Sequence, residues 1–235
     1  MVLGASAAVT ETVEPLSGDV GRHVGRNDYG RMISGQPSVP HAMHLSSLLT
    51  NTRHDCLAPV LVDLRRRACR RILRYNSTLS PESSPVAESS FRDTLLREIF
   101  GKTGESPRVE PPLTVGYGCN IEVGDGFHAQ SNLVILDSAM VKIDHRVIIG
   151  PSVTIMTATE GKGPGDSWRR QCAQPVFIGD DCCIGANVTI FPGVSIGKGC
   201  KIAAGSFVRN NIPDFSVALG GPAKVAPETS NLGCR

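Results

Sequence analysis

Aromatic side chains are scarce: seven Phe, three Tyr and one Trp in 235 residues. A core of stacked rings is thereby excluded, and small aliphatic side chains must fill the interior. No stretch reaches the roughly 18 consecutive apolar residues of a transmembrane helix, so no membrane association is expected. The N-terminus has no basic region followed by an apolar block, so no secretory signal is expected either. A charge bias is also missing. The net charge is +2, with 14 basic and 12 acidic residues in 1–110 and ten of each in 111–235. Neither half carries the footprint of a nucleic-acid-binding protein. The eight cysteines lack the spacing of a metal site, so no metal is expected. Reduced thiols in a cytoplasmic protein are the corresponding expectation.

What the chain has instead is turn-forming residues, 25 Gly and 16 Pro, more than the roughly 12% of ordinary usage. Residues 1–26 show no periodicity and read as a loose tail. Residues 27–110 read as an N-terminal helical segment. Its clear helix runs over Pro59–Tyr75, where Leu61, Leu64, Ala68, Ile72 and Tyr75 recur at steps of three and four. Six arginines, Arg65, Arg66, Arg67, Arg70, Arg71 and Arg74, fill much of the remainder. Residues 77–88 read as a Ser/Pro-rich linker. A second helix over Ser90–Phe100 ends before Gly101, a common stop.

In residues 111–225 the period changes to six. Ile178, Ile184, Ile190, Ile196, Ile202 and Val208 lie on one grid, with Val176, Cys182, Val188, Val194, Cys200 and Ser206 two residues earlier. A first grid carries Val115, Ile121, Phe127 and Leu133 with Tyr117, Val123, Ala129 and Ile135. A middle grid carries Val141, Val147 and Val153 with Ile143, Ile149 and Ile155, offset by two residues from the first. An excursion over 157–174 separates it from the last grid. A period of six fits neither an isolated helix nor a simple hairpin meander. It predicts a solenoid of flat faces, each short strand giving an inward aliphatic and ending in a tight turn. Residues 226–235 read as a C-terminal tail.

The chain also contains RMISG (31–35), RYN (74–76), YGCNIEVGDGF (117–127), NLVILD (132–137), IIGPSVTIMTAT (148–159), PVFIGDDCCIGANVTIFPGVSIGKG (175–199) and GGPAK (220–224). In this order and spacing they resemble the hexapeptide-repeat acyltransferases, and more narrowly the maltose and galactoside O-acetyltransferase group. The resemblance spans residues 28–225. It implies a mainly β fold, a left-handed parallel β-helix (a hexapeptide-repeat solenoid) with an N-terminal α-helical segment. It also implies a homotrimer with sites in clefts between subunits, and acetyl-CoA lying along the coil.

Acetyl transfer to a hydroxyl needs a base near the acceptor oxygen, and histidine suits that role. The resemblance implies a His directly after the TAT strand end, but Glu160 stands there. Glu160 is either an acid/base carboxylate with a pKa raised by burial or a solvated relic. His128, facing away from the inward Phe127 and Ala129, is either a substitute base or an ordinary surface residue. His145 reads as a turn residue. In the acceptor-positioning element the resemblance implies two Asn residues; Gln130 takes the first place and Asn132 keeps the second. Ser38 and Val39 stand where it implies a Tyr-Asp pair that binds the acceptor, and Asp55 is a candidate substitute for that Asp. It implies a substrate contact for Arg65, eleven residues before Asn76. Trp168 in the excursion either lines a substrate pocket or staples the loop. Ala204, Gly205 and Ser206 keep the small residues that let CoA approach, and GGPAK keeps Lys224. Gly221, though, replaces an Asn, and no basic residue follows the motif.

Three functions compete. The first is a divergent enzyme that has abandoned acetyl transfer. It would act on a small, apolar, specialised-metabolite-like molecule by acid/base-assisted isomerisation, elimination or cyclisation. The second is a CoA-dependent O-acetyltransferase with Glu160 or His128 as base. The third is a non-catalytic trimeric scaffold.

Overall fold

The computed structural model describes residues 52–55, 57, 59–78, 85–160 and 170–226, the side chains of 52–55, 60, 85–89, 160, 170 and 171 excepted. Ser38, Val39, Trp168 and the tail over 1–26 lie outside the described residues.

Short parallel strands wind into a three-faced solenoid. Face one stacks β4 (Leu113–Val115), β7 (Leu133–Leu136), β10 (Thr154–Met156), β15 (Thr189–Ile190) and β18 (Phe207–Val208). Face two stacks β2 (Lys102–Thr103), β5 (Ile121–Val123), β8 (Val141–Ile143), β13 (Val176–Ile178) and β16 (Ser195–Ile196). Face three stacks β3 (Arg108–Val109), β6 (His128–Ala129), β9 (Ile148–Ile149), β14 (Cys183–Ile184), β17 (Lys201–Ile202) and β19 (Val217–Leu219), closed by antiparallel β20 (Lys224–Val225). The first parallel strand therefore lies at Lys102, ahead of the 111 expected from the onset of the period.

The six-residue grids are buried, as their pattern predicts, with Val115 alone half-buried. Their vertical neighbours differ from the simplest reading, in which Ile190 would pack between Ile184 and Ile196. Three six-residue faces make one coil, so those two isoleucines sit on the other faces of the same solenoid. Ile190 stacks instead on Ile155 and Val208. The parallel ladders on the other faces run Val123–Ile143–Ile178–Ile196 and Ala129–Ile149–Ile184–Ile202–Ala218. Each ladder removes branched aliphatics from water in register, which favours Ile and Val over larger rings.

The two-residue offset between grids has a structural cause. Inward residues step by six from face to face, Ile190 to Ile196 included, except at the edge between faces one and two in the first coils. There Val115 is followed by Val123, and Ile135 by Ile143. The same edge releases the excursion in the next coil. Its arms, β11 (Ala158–Glu160) and β12 (Arg170–Ala173), pair antiparallel, and β1 (Thr52–Asp55) adds to the far side of β12.

Two helices cover the start of the solenoid: α1 (Pro59–Asn76) and α2 (Pro85–Ile99). Leu61, Ala68, Ile72 and Tyr75 of α1 are buried as their spacing predicts, with Leu64 half-buried. Asn76 clamps the end of α1 to β4, donating to the Leu113 carbonyl and accepting from its N–H, both at 2.9 Å. Helix α2 begins at Pro85, inside the stretch that read as linker. Proline suits the first helical turn, where its missing N–H costs nothing. Phe91 of α2 is exposed, its ring covered by the Arg74 guanidinium.

Candidate active site

The edge between faces one and two holds most of the buried polar groups. Asp137, Asn120 and Thr157 are buried there. The Asp137 carboxylate accepts from the Tyr117 N–H at 2.7 Å and the Asn120 N–H at 3.3 Å. Asn120 in turn donates its side-chain amide to the Asp137 carbonyl at 2.7 Å. Thr157 donates to the Leu136 carbonyl and accepts from the Ala139 N–H. The two extra residues per coil would otherwise leave backbone amides unpaired, and these side chains satisfy them. Burial raises the Asp137 pKa to about 7 against those stabilising N–H bonds, so its charge changes near neutrality.

Arg65 reaches this edge from α1. Its guanidinium donates to the Tyr117 hydroxyl at 2.7 Å and lies over the ring, 5.6 Å from the centroid. Arg65, Tyr117, Asp137 and Thr157 thus follow one edge, from which β11 carries Glu160 outward. The grid offset marks the edge at which Asn120, Asp137 and Tyr117 lie, but their contacts, 17 and 20 residues apart in sequence, require the coil.

Gln130 and Asn132 occupy a different edge, between faces three and one. Both are exposed. Asn132 adopts a left-handed turn conformation (φ 63°), which a short polar side chain tolerates, and its amide donates to the Ser152 hydroxyl at 3.1 Å. Its retention is explained by the turn. Further along the same edge are Ala204 and Gly205, both exposed. A Cβ built on Gly205 would meet no atom within 4 Å. Ser206 is buried, and its hydroxyl is spent on the Ala203 carbonyl and the Gly220 N–H. It shapes this shelf and offers no hydroxyl to a ligand. Lys224 is exposed on β20. Within one chain, then, Arg65 and the Glu160 strand lie at one edge, Gln130 and the small-residue shelf at another.

His128 stands half-buried on the outer surface of face three, in register with Arg108 and Ile148. His145 belongs to the third edge. Its Nδ1 lies 3.0 Å from both the Asp125 N–H and the Asp125 carboxylate, which hold the ring in the turn. A groove of about 230 Å³ beside it is lined by Lys102, Glu122, Asp125, Lys142 and Asp144. Lys102, Glu122 and Lys142 alternate in sign across adjacent strands, which makes this a solvated charge ladder. Cys119 is a poor nucleophile because desolvation and the Asp137 carboxylate push its thiol up to about 11. Burial does the same to Cys182. Among the described residues no group of three or more His, Cys, Asp or Glu could hold a metal. Nor is any helix among them long and apolar enough to cross a membrane.

In the three-stranded sheet, one row contains His54, Gln171 and Glu160, and the next contains Asp55 and Arg170. Adjacent rows alternate between sheet faces. Asp55 is therefore on the opposite face from Glu160. His54, which no motif singled out, shares the row of Glu160. No local signal could have found it, because the pairing crosses more than a hundred residues.

Known proteins share this architecture. Residues 175–209 match the hexapeptide repeat of succinyl-transferase, and residues 49–104 the maltose acetyltransferase hexapeptide capping motif. A Saccharomyces cerevisiae protein named as an acetyltransferase is 43% identical over 171 residues, covering 71% of this chain and 83% of its own length. Escherichia coli galactoside O-acetyltransferase is 38% identical over 151 residues, 63% of this chain and 73% of its own. A solved galactoside acetyltransferase in complex with coenzyme A superposes with a TM-score of 0.70 at 32% identity, covering 79% of this chain and 91% of its own. By fold, repeat, capping segment and relatives, this chain belongs to the hexapeptide-repeat acetyltransferases.

Proposed function

We propose that this chain transfers an acetyl group from acetyl-CoA to a hydroxyl of a small molecule, working as a homotrimer. The observation that carries the reading is the open shelf at Ala204–Gly205, on the same edge as Gln130, with Lys224 exposed on β20 at the same end of the solenoid. An extended thiol cofactor needs such a side-chain-free track, and a lysine suits its phosphates as a point charge. The coenzyme A complex of the related galactoside acetyltransferase supports the same reading. The homotrimer is the assembly the resemblance implies, and the separation of the two edges supports assembly, since a second copy would bring the Arg65 edge against the Gln130 edge. The acceptor is expected to be less sugar-like than a galactoside, because Ser38, Val39 and Gln130 replace the polar residues implied by the resemblance.

Calorimetric titration with acetyl-CoA, followed by thiol release with benzyl alcohol, cyclohexanol and methyl galactoside, tests this. Micromolar binding and acceptor-dependent thiol release are expected. Absence of both would overturn it.

One observation favours a second reading: a carboxylate, Glu160, stands where the resemblance implies an imidazole. An unperturbed carboxylate, with a pKa of about 4.3, is a weak base at neutral pH. Acid/base isomerisation, elimination or cyclisation of an apolar specialised metabolite would use such a group. A chain that binds no acetyl-CoA yet turns over an apolar ligand supports it. A chain that does neither is a scaffold.

A further inference from the structure

We propose that Cys182 and Cys200, stacked on neighbouring coils, form a buried dithiol that a hydroperoxide closes to a disulfide, pinning the C-terminal end of the solenoid. Both stand at the edge between faces two and three, which the proposed acetyl transfer does not use.

Register puts the two cysteines together. Cys183 pairs with Lys201 and Ile184 with Ile202 in parallel, so the residues one step earlier, Cys182 and Cys200, are vertical neighbours. The Cys183 N–H donates to the Cys200 carbonyl at 2.8 Å and fixes that step. Neighbouring strands lie about 4.8 Å apart, inside the roughly 4.4–6.8 Å between Cα atoms that a disulfide spans. Direction agrees with distance. The Cys182 Sγ leans toward the coil of Cys200, donating to the Gly197 carbonyl at 2.9 Å. The two thiols are within hydrogen-bonding reach of each other. The Cys200 Sγ also donates to the Pro213 carbonyl at 3.0 Å.

Packing alone does not ask for sulfur here. The ladder runs Phe127, Val147, Cys182, Cys200 and Ser216, and at each step the amide of the following residue donates to the carbonyl of the next rung. Val147 fills the same place one coil below and is fully buried. Two adjacent rungs are nevertheless thiols.

Access comes from the end of the solenoid. On face three only β19 and its hairpin partner β20 lie beyond the strand that follows Cys200. A coil contacts only its neighbours, so the terminal coils open first. In the closed state Cys182 and Cys200 are 1% and 0% exposed. Burial pushes the Cys182 thiol up to about 11 and the Cys200 thiol upward as well. Both effects keep bulky alkylating reagents off the pair. Cys69, Cys119 and Cys183 are exposed, and Cys172 belongs to the excursion.

The chemistry balances. The Cys200 thiolate attacks one peroxide oxygen and the O–O bond breaks. Water leaves, and Cys200 carries a sulfenic acid. The Cys182 sulfur then attacks the Cys200 sulfur, the S–O bond breaks and a second water leaves as the S–S bond forms. Two thiols are oxidised by two electrons and one hydroperoxide is reduced. The bond closes a loop between residues eighteen apart in sequence, and joins the coil of Gly185 to the coil of Ala204–Gly205.

Peptide mapping of the full chain tests this. Accessible thiols are blocked with N-ethylmaleimide under native conditions, hydrogen peroxide is added, and the chain is then unfolded, alkylated with iodoacetamide and digested without reduction. A Cys182–Cys200 linked peptide, two hydrogens lighter than the separate peptides and released by dithiothreitol, is expected. The urea midpoint should rise on oxidation and fall back on reduction, because the cross-link restricts the unfolded chain. Cys182→Val, which copies the rung below, should fold and lose that response, which separates it from methionine oxidation. Both cysteines carrying an alkyl label, or Cys200 linked to a different cysteine, would overturn the proposal. So would a linked peptide that forms only when peroxide is added in urea, or one that leaves the midpoint unmoved.

Discussion

Ile190→Ala would open a void in the middle of the face-one ladder. Ile190 is fully buried between Ile155 and Val208. The substitution removes three carbons, a transfer loss of about 2.4 kcal/mol at ~0.8 kcal/mol per buried group. The ladder cannot close over the gap. The Thr154 N–H donates to the Val188 carbonyl, the Thr189 N–H to the Ser206 carbonyl and the Phe191 N–H to the Val208 carbonyl, all at 2.9–3.0 Å. These bonds hold the coils at strand spacing whatever side chain lies between them. A residual cavity of roughly 50 Å³ then adds ~1.2 kcal/mol at about 24 cal/mol per Å³. The total, about 3.6 kcal/mol, sits just above the middle of the range for such truncations. Urea unfolding followed by circular dichroism measures it as a midpoint shift at constant slope. Leu73→Ala, at a position 61% exposed on α1, serves as the control and should cost less than about 1 kcal/mol. A loss below about 1 kcal/mol for Ile190→Ala would refute the argument that backbone bonds fix the coil spacing.

Other outcomes follow from the edges of the solenoid. The Asp137 pKa of about 7 lies above the ordinary carboxylate value, so the folded chain holds a proton that the unfolded chain has released. Its contribution to stability is full below about pH 4 and is lost as pH rises to about 7; Asp137→Asn should flatten that decline in urea midpoints taken from pH 4 to 8, and an unchanged slope would assign it elsewhere. Gly185→Ala would set a Cβ 2.5 Å from the Ala204 nitrogen and 2.9 Å from the Ile202 carbonyl oxygen. Neither backbone atom can move alone, so a loss of more than about 2 kcal/mol with weakened acetyl-CoA binding is expected, and wild-type values for both would show that the coil spacing yields. Arg65→Lys should lose about 1 kcal/mol, because an ammonium lacks the planar fork that both donates to Tyr117 and covers its ring; equal stability of the two proteins would remove that contact from the account. Light scattering at low micromolar concentration should give three times the 25.0 kDa chain mass, and a stable monomer would leave the two edges without a means of meeting.

The amino-acid order by itself determined which residues face inward and what kind of fold they build. A six-residue period with aliphatics two apart, few rings and many turn formers admits one architecture, because inward position on a short strand is a local property. The helix over residues 59–76 was equally legible, since an apolar stripe at three- and four-residue steps needs no tertiary partner to be read. Tertiary structure alone decided which inward residues touch. Ile190 meets Ile155 across an interrupted stretch of chain because three faces complete a coil before any residue gains a vertical neighbour. The polar edge depended on the same closure. Tyr117, Asp137 and Thr157 are twenty residues apart in sequence, and only the stacking of two enlarged corners turns a phase slip in the period into a network. Glu160 stood out as a departure from its family, but its row-mate did not. His54 lies in a segment without periodicity, and antiparallel pairing between distant strands is set by register, which no local pattern encodes.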